Sequence, residues 1–352
     1  RINFNTTTDF ASVSKRIPML SGREYINFIN DRNQALGSDS RYQEEDVVEY
    51  VNWQKELTQT AVTQTYRLSA GARGNRTDYY VAGGYMKNDG VVKTTGLEQF
   101  DLRINAGYQI SNRLKASTSV NSLRRENTMT TGTDNIGGVN TSMIRQMILH
   151  PTAIRRQDDT DETISYSPRA WLSDYKDESL ESRNTMSLGL DYKLSEVFTT
   201  RLFGGYDNRY KQRARWYGPA TSTGAATNGQ IGLANLRREN INLEALLFFD
   251  KTFSGEHRLS GTIGTTYDKG FSERWQMVNE DFFTYDLKTY GMGYGETVYP
   301  PSTSFSNQSL FSLINRINYA YGDKYLVTFT SRMDGSSKFD RSNRNSYFPA
   351  FA

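Results

Sequence analysis

Apolar and polar residues alternate with a period of two through much of this chain. Phe100, Leu102, Ile104, Ala106, Tyr108 and Ile110 are interleaved with Asp101, Arg103, Asn105, Gly107 and Gln109. Met186, Leu188, Leu190, Tyr192 and Leu194 repeat the pattern against Ser187, Gly189, Asp191 and Lys193. So do Ile241, Leu243, Ala245, Leu247 and Phe249, and Leu259, Ile263 and Tyr267 alternate with Arg258, Ser260, Thr262, Thr266 and Asp268. A strand sends successive side chains to opposite faces, so each run has one apolar and one wet face; a helix of period 3.6 would scatter both sets. The alternations predict about eleven strands, at 2–10, 64–73, 78–88, 97–110, 114–125, 182–194, 197–210, 236–251, 257–270, 309–321 and 325–335. Most are long enough to cross a bilayer at a tilt, which takes roughly 9–11 residues.

The connections alternate as strictly as the side chains. Short turns at Gly74–Thr77, Ser111–Arg113, Ser195–Glu196, Ser254–Glu256 and Gly322–Asp323 take turns with long excursions at 11–63, 126–181, 211–235 and 271–308, and a shorter one at 89–96. Up-and-down membrane barrels have this organisation, with tight turns on the periplasmic rim and long loops outside. Tyr108, Tyr192, Phe198, Phe249, Phe253, Tyr319, Tyr321 and Tyr325 gather beside the short turns, where amphipathic rings favour the headgroup level. Cross-strand aromatic pairing in a soluble sheet is the plainer alternative. Two helical patches fall in the first excursion. One opens with the capping box Ser21 to Glu24, followed by Tyr25, Phe28, Ile29 and Leu36; the other runs from Glu44 to Leu57.

Composition narrows the class. A mean hydropathy of -0.68 and no apolar run near the roughly 18 residues of a spanning helix exclude a helical membrane protein, but not a barrel, whose strands hide an apolar face behind alternation. With no cysteine, disulfides and thiolate-metal sites are excluded. A formal charge of +3 over 352 residues gives no reason to expect nucleic acid. The opening RINFNTTTDF has no signal-peptide core, and the close at SYFPAFA follows a strand and a loop; both ends read as interior cuts, so the chain is expected to be a fragment of one barrel domain.

Catalytic chemistry is thin. The two histidines, His150 and His257, are far apart and make no metal-ligand spacing. The acidic runs Asp158 to Glu162 and Asp174 to Glu178 offer oxygen ligands for calcium without EF-hand spacing, and a solvated loop is the simpler reading. Gly291-Met292-Gly293-Tyr294-Gly295 lacks the lysine of a phosphate loop, and Asp334-Gly335-Ser336-Ser337 lacks a base for a serine nucleophile. No catalytic, cofactor or metal site is therefore expected. Loop aromatics are the candidate ligand contacts: Trp171, Tyr175, Trp216, Tyr217, Trp275, Tyr290, Tyr294 and Tyr299. Flat rings stack on sugar faces or hold peptide side chains, and loop-on-loop packing is the structural alternative. Arg103, Arg201, Arg209, Arg258 and Arg332 are expected to line a wet lumen.

Two segments carry a family resemblance. Asn52-Trp53-Gln54-Lys55-Glu56-Leu57, with Ala61, Gln64, the strand Tyr66 to Gly71, Tyr79-Tyr80 and Asn88-Asp89-Gly90, is similar to the block after the first extracellular loop of SusC/RagA-type TonB-dependent transporters; Asn52 stands where Asp is frequent. Arg316-Ile317-Asn318-Tyr319-Ala320-Tyr321-Gly322-Asp323-Lys324-Tyr325-Leu326, then Arg332 to Phe339, Asn343-Arg344 and Phe348-Pro349-Ala350, resembles a long and specific stretch of the same family; Met143 to Met147 is a weaker match. The resemblance implies an all-β transmembrane barrel of 22 antiparallel strands, of which this chain supplies about eleven, with short helices in its extracellular loops. It also implies a Gram-negative outer membrane, a plug and TonB box outside this chain, a SusD-like lipoprotein lid, a dimer of transporter and lid pairs, and import of an oligosaccharide or peptide. An outer-membrane enzyme or a soluble β-rich adhesin are the rival readings.

Overall fold

The computed structural model of the chain describes residues 1–129, 143–155, 167–322 and 324–352. Its frame is one antiparallel sheet. The strands are β1 (Ile2–Ala11), β2 (Val47–Tyr50), β3 (Ala61–Arg73), β4 (Thr77–Asp89), β5 (Gly96–Gln109), β6 (Leu114–Thr128), β7 (Ala153–Arg155), β8 (Tyr175–Lys193), β9 (Phe198–Tyr217), β10 (Gln230–Phe253), β11 (His257–Phe282), β12 (Gly295–Val298), β13 (Ser302–Tyr321), β14 (Tyr325–Ser336) and β15 (Asn345–Phe351). The large sheet runs β1-β3-β4-β5-β6-β8-β9-β10-β11-β13-β14-β15, with β12 paired to β11; β2 and β7 pair apart from it. Each neighbour in the large sheet is also the next large strand in sequence, as in a meander.

The pleat separates the two faces as the alternation requires. Val81, Ile104, Val120, Met186 and Tyr206 stand directly opposite one another on consecutive strands, and the row continues through Ile241. This face has no protein cover: Leu102, Leu188, Leu202, Leu243 and Ile263 are all exposed. An uncovered apolar face this large is the mark of a membrane contact rather than of a sheet facing water. The aromatic residues beside the short turns lie on it too, with Tyr321 stacked on Tyr325 and Phe198 tilted against Phe249. At the β10–β11 turn, Ser254 and Gly255 have φ of 47° and 75°, the left-handed backbone that tight hairpins use.

The opposite face is polar and largely paired within itself. Arg183 meets Asp207 at 2.9 Å, Arg201 meets Asp191 at 2.6 Å, Arg209 meets Glu181 at 2.8 Å and Arg332 meets Asp334 at 2.6 Å. Four of the five arginines expected in the lumen, Arg201, Arg209, Arg258 and Arg332, thus find carboxylates on this chain.

Three expectations need correction. The strands extend well past the apolar alternation: β11 continues to Phe282 and β10 begins at Gln230, so the excursions at 211–235 and 271–308 shrink to 218–229 and 283–301. Beyond the lipid both faces are wet, and register is carried by the ladder without an apolar signal. β15 is a strand beyond the eleven expected; its Pro349 sits at an end of the sheet, where proline is tolerated. The expected helix from Glu44 to Leu57 is a short 3-10 turn, then β2, then the one-turn helix α2 (Trp53–Glu56). Val47 and Val48 favour the extended backbone that pairs with β7, and the Asn52 side chain caps α2 by accepting from Lys55 N–H. The other helix, α1 (Gly22–Ala35), has the expected capping box: Ser21 N–H donates to Glu24 and Glu24 N–H donates to Ser21 Oγ.

Candidate functional site

The long loops fold against each other at one end of the wall. They also contain α3 (Met143–Leu149), α4 (Pro168–Asp174) and α5 (Ser222–Thr227). The β1–β3 and β6–β8 connections behave as one body. β2 from the first pairs with β7 from the second, and Val51 N–H donates to Thr152 O. Trp53 is buried in the joint, donates Nε1–H to Pro151 O at 2.7 Å and meets His150 edge-on at 5.3 Å. Arg169 of α4 spans both connections, donating two hydrogen bonds to Glu49, one to Glu56, and lying 5.4 Å over the Trp53 ring. The Arg169 guanidinium pulls the Glu49 carboxyl below its ordinary range, and the two glutamates push Arg169 up.

Beneath this joint lies the buried cluster of Val51, Trp53, Leu57, Met143, Met147, Trp171, Tyr175 and Tyr217. Three of the candidate ligand aromatics are in it: Trp171 tilts on Tyr175 at 4.9 Å and meets Tyr217 edge-on at 5.9 Å. All three are buried. Tyr175 and Tyr217 are direct cross-strand partners on the polar face, the side that the ion pairs occupy. The loops therefore cap the inner side of the wall.

One step further into the wall is an ion cluster that the sequence reading missed. Asp177 is fully buried; Arg213 donates to it from Nε at 2.8 Å and from Nη2 at 2.6 Å, Arg215 Nε reaches it at 3.3 Å, and Tyr175 Oη–H donates at 3.1 Å. Burial, then the charge of Asp177, push the Tyr175 phenol well above its ordinary range. The acidic run at Asp174 to Glu178 is thus no solvated loop. Asp174 accepts from Trp216 Nε1 and Ala220 N–H, Asp177 is held by arginines, and Glu178 pairs with Lys176 at 2.9 Å. A buried carboxylate survives only when paired, so its oxygens belong to the guanidinium groups and not to calcium. Among the described residues no group of three or more His, Cys, Asp or Glu is placed to hold a metal. The other acidic run, Asp158 to Glu162, lies outside the described residues. The signal that could have revealed Asp177 is the alternation of Tyr175, Asp177, Ser179 and Glu181, four buried positions at period two.

The remaining candidates are dispersed. Trp216, one residue before Tyr217, points to the other face and packs with Ile231 and Phe282, also meeting Tyr285 at 6.1 Å. Trp275 is half-buried in β11, opposite Asn235 and Thr303. Tyr290 is 86% exposed. Tyr294 packs edge-on to Phe283, and Tyr299 donates to Glu280 at 2.8 Å, which raises its phenol pKa. The glycine-rich stretch near Gly293 forms two short 3-10 turns. His257 meets the Tyr319 hydroxyl at 2.7 Å.

No family model matches the chain. Among curated proteins it is 25% identical over 361 residues to TonB-dependent receptor P3 of Formosa agariphila, covering all of this chain and 35% of that protein. It is 23% identical over 379 residues to TonB-dependent receptor SusC of Bacteroides thetaiotaomicron, covering all of this chain and 36% of that protein. The chain therefore spans about a third of the length of the curated relatives it matches. In fold it is similar to the structure of the RagAB peptide transporter, with a TM-score of 0.80 and 16% identity over 99% of this chain and 44% of that one. The relatives carry the names of receptors, and none is named as an enzyme. The chain is thus similar along its whole length to TonB-dependent receptors, SusC among them, and shares the β-barrel fold of RagAB, a likeness that fits an outer-membrane barrel of the SusC/RagA type.

Proposed function

We propose that this chain is the wall and mouth of an energy-coupled outer-membrane importer, and that its cargo is an oligomeric nutrient, a glycan first. The observation that carries the reading is the loop cap on the inner side of the wall. Arg169, Trp53 and the β2–β7 pairing tie two connections into a rigid unit beside a polar lumen. Further along the same inner face is a hollow of about 650 Å³ whose polar lining residues include Asp207, Asn240, Asn242, Asp268 and Gln308, alongside apolar ones such as Phe203 and Leu310. Amide and carboxylate groups suit a hydroxyl-rich cargo. The exposed rings Tyr294 and Tyr299 are the candidate contacts that remain available for stacking on sugar, whereas Tyr290 and Trp275 stand on the outward side of the wall. Trp171, Tyr175, Trp216 and Tyr217 support those contacts from buried positions.

The wall belongs, in this reading, to one larger barrel, because among the described residues both end strands, β1 and β15, carry an unpaired edge that a membrane does not tolerate; the resemblance implies 22 strands for the whole. A plug engaging TonB and a SusD-like lid complete the machine, in dimeric transporter and lid pairs. A second reading, peptide cargo, is favoured by the likeness to RagAB, whose structures are of a peptide transporter. Uptake of candidate glycans and peptides by cells lacking this barrel, with the partner genes intact, tests both. Loss of glycan uptake alone supports the first reading, loss of peptide uptake alone the second, and unchanged uptake of all cargoes overturns the importer.

A further inference from the structure

The outward face carries a second built feature above the apolar band. Lys87, Glu98, Glu126, Leu180 and Gln212 stand directly opposite one another on five consecutive strands, β4 to β6, β8 and β9. They share the parity of the lipid-facing residues: Lys87 lies six residues beyond Val81, and Leu180 six before Met186, on the side of the long loops. At about 3.3 Å per residue, reduced by strand tilt, that offset takes the row out of the hydrocarbon and into the headgroup layer of the outer leaflet.

The row floors a cleft of about 820 Å³. The β11–β12 connection walls it on one side with Thr289, Tyr290 and Met292, and the β4–β5 connection on the other with Thr94 and Thr95. Both walls are anchored. Met292 packs on the Trp216, Ile231 and Phe282 cluster and its carbonyl accepts from Asn279, while Lys288 Nζ donates to Ser173 O. Gln59 side-chain N–H donates to Gly90 O.

The floor has a cost that folding alone does not explain. Glu98 and Glu126 face each other directly across β5 and β6, an arrangement of like charges that weakens a sheet. Lys87 stands 3.7 Å from Glu98 and Arg124 2.8 Å from Glu126, so each carboxylate is balanced but keeps open acceptor positions. Balanced charge disfavours a bare phosphate. Paired carboxylates, the Gln212 amide and the exposed face of Tyr290 suit vicinal hydroxyls and the flat side of a sugar ring.

We propose that this cleft binds the sugar headgroup of an outer-leaflet glycolipid, with its acyl chains on the apolar band directly below. The site faces lipid, so it anchors the wall in its leaflet and lies off the path of any cargo.

The test uses the full-length receptor in lipid nanodiscs, with native mass spectrometry counting retained rough-type lipopolysaccharide and, separately, lipid A lacking core sugars. Tyr290→Ala removes the wall ring, and Gln212→Trp fills the floor. Gln308→Ala, in the lumenal hollow, is the control. Heat-modifiable mobility on gels restricts the count to folded barrels. Retention of the sugar-bearing lipid is expected to fall about fivefold in each cleft variant and to hold in Gln308→Ala, with lipid A retained weakly by all. Unchanged retention in both cleft variants, equal retention of lipid A and lipopolysaccharide, or an equal loss in Gln308→Ala would overturn the proposal.

Discussion

Strands β8 and β9 carry the same chemistry at two heights with different consequences. Near the short turn Asp191 pairs with Arg201, and midway along Asp207 pairs with Arg183, in contacts that stay open to solvent on at least one side. At the loop end, Asp177 pairs with Arg213 and Arg215, and all three side chains are buried. The strand, the pairing partner and the hydrogen-bond lengths are alike. What differs is the cover: Trp171, Tyr175, Tyr217 and the joined loops seal the upper cluster from water. A guanidinium–carboxylate pair is worth little where water screens it, and becomes costly to break where water is excluded. The cap therefore turns ordinary wall residues into a structural pin for the mouth.

The largest effect expected from this difference is that of Asp177→Ala. It removes a fully buried carboxylate partner of the buried Arg213 and Arg215 charges, which is expected to cost up to about 3–5 kcal/mol. Chemical unfolding of the receptor in micelles reads it. A loss below about 1 kcal/mol would mean that water already reaches the cluster. Removing the cover sharpens the point. Trp171→Ala deletes a fully buried ring at a cost of about 3–5 kcal/mol. It also admits water, so the double variant Asp177→Ala, Trp171→Ala is expected to lose less than the sum of the two. Strict additivity would show that the two groups act independently.

A pH series probes the same cover from above. Arg169 depresses the Glu49 carboxyl, so the folded protein gains stability from this contact above the ordinary glutamate pKa of 4.5 and loses it as pH falls through the lowered folded value. The protection of the β2–β7 amides from exchange, taken relative to the intrinsic rate at each pH, is expected to be high at neutral pH and to fall in acid, below that ordinary value. Arg169→Gln should make exchange fast at neutral pH and flatten the pH response. An acid response that persists unchanged in this variant would assign it to other groups.

How much of this was legible in the sequence follows the same division. In the wall, period-two alternation located eleven of the twelve strands in the main run of the large sheet, all but β15, because lipid on one side and water on the other write themselves residue by residue, as at Phe100 to Tyr108. The eleven expected strands are all present, and the aromatic residues expected beside the short turns lie on the uncovered face. At the mouth the local code fails. Trp53 and Trp171 meet from separate connections, and nothing near either marks the other as its neighbour. The alternation of Tyr175 to Glu181 was present but read as an acidic run, because its apolar partners arrive from other parts of the chain. Candidate ligand residues chosen as loop aromatics therefore divided into buried anchors and displayed rings, a distinction that only packing makes.

The smallest effect closes the comparison. Asp191→Ala removes the carboxylate partner of Arg201 near the short-turn end of the wall, where the arginine side chain is 48% exposed. Water can solvate the freed guanidinium, so the loss should stay under about 1 kcal/mol, a fraction of that for Asp177→Ala on the same strand. Added salt should shrink the Asp191 effect further and leave the Asp177 effect nearly intact, since screening reaches only charges that water reaches. If salt weakens both equally, the two heights have the same solvent access, and the cap does not seal the mouth. If Asp191→Ala costs as much as Asp177→Ala, the lumen near the short turns is as dry as the capped end, and the wall itself excludes water without help from the loops.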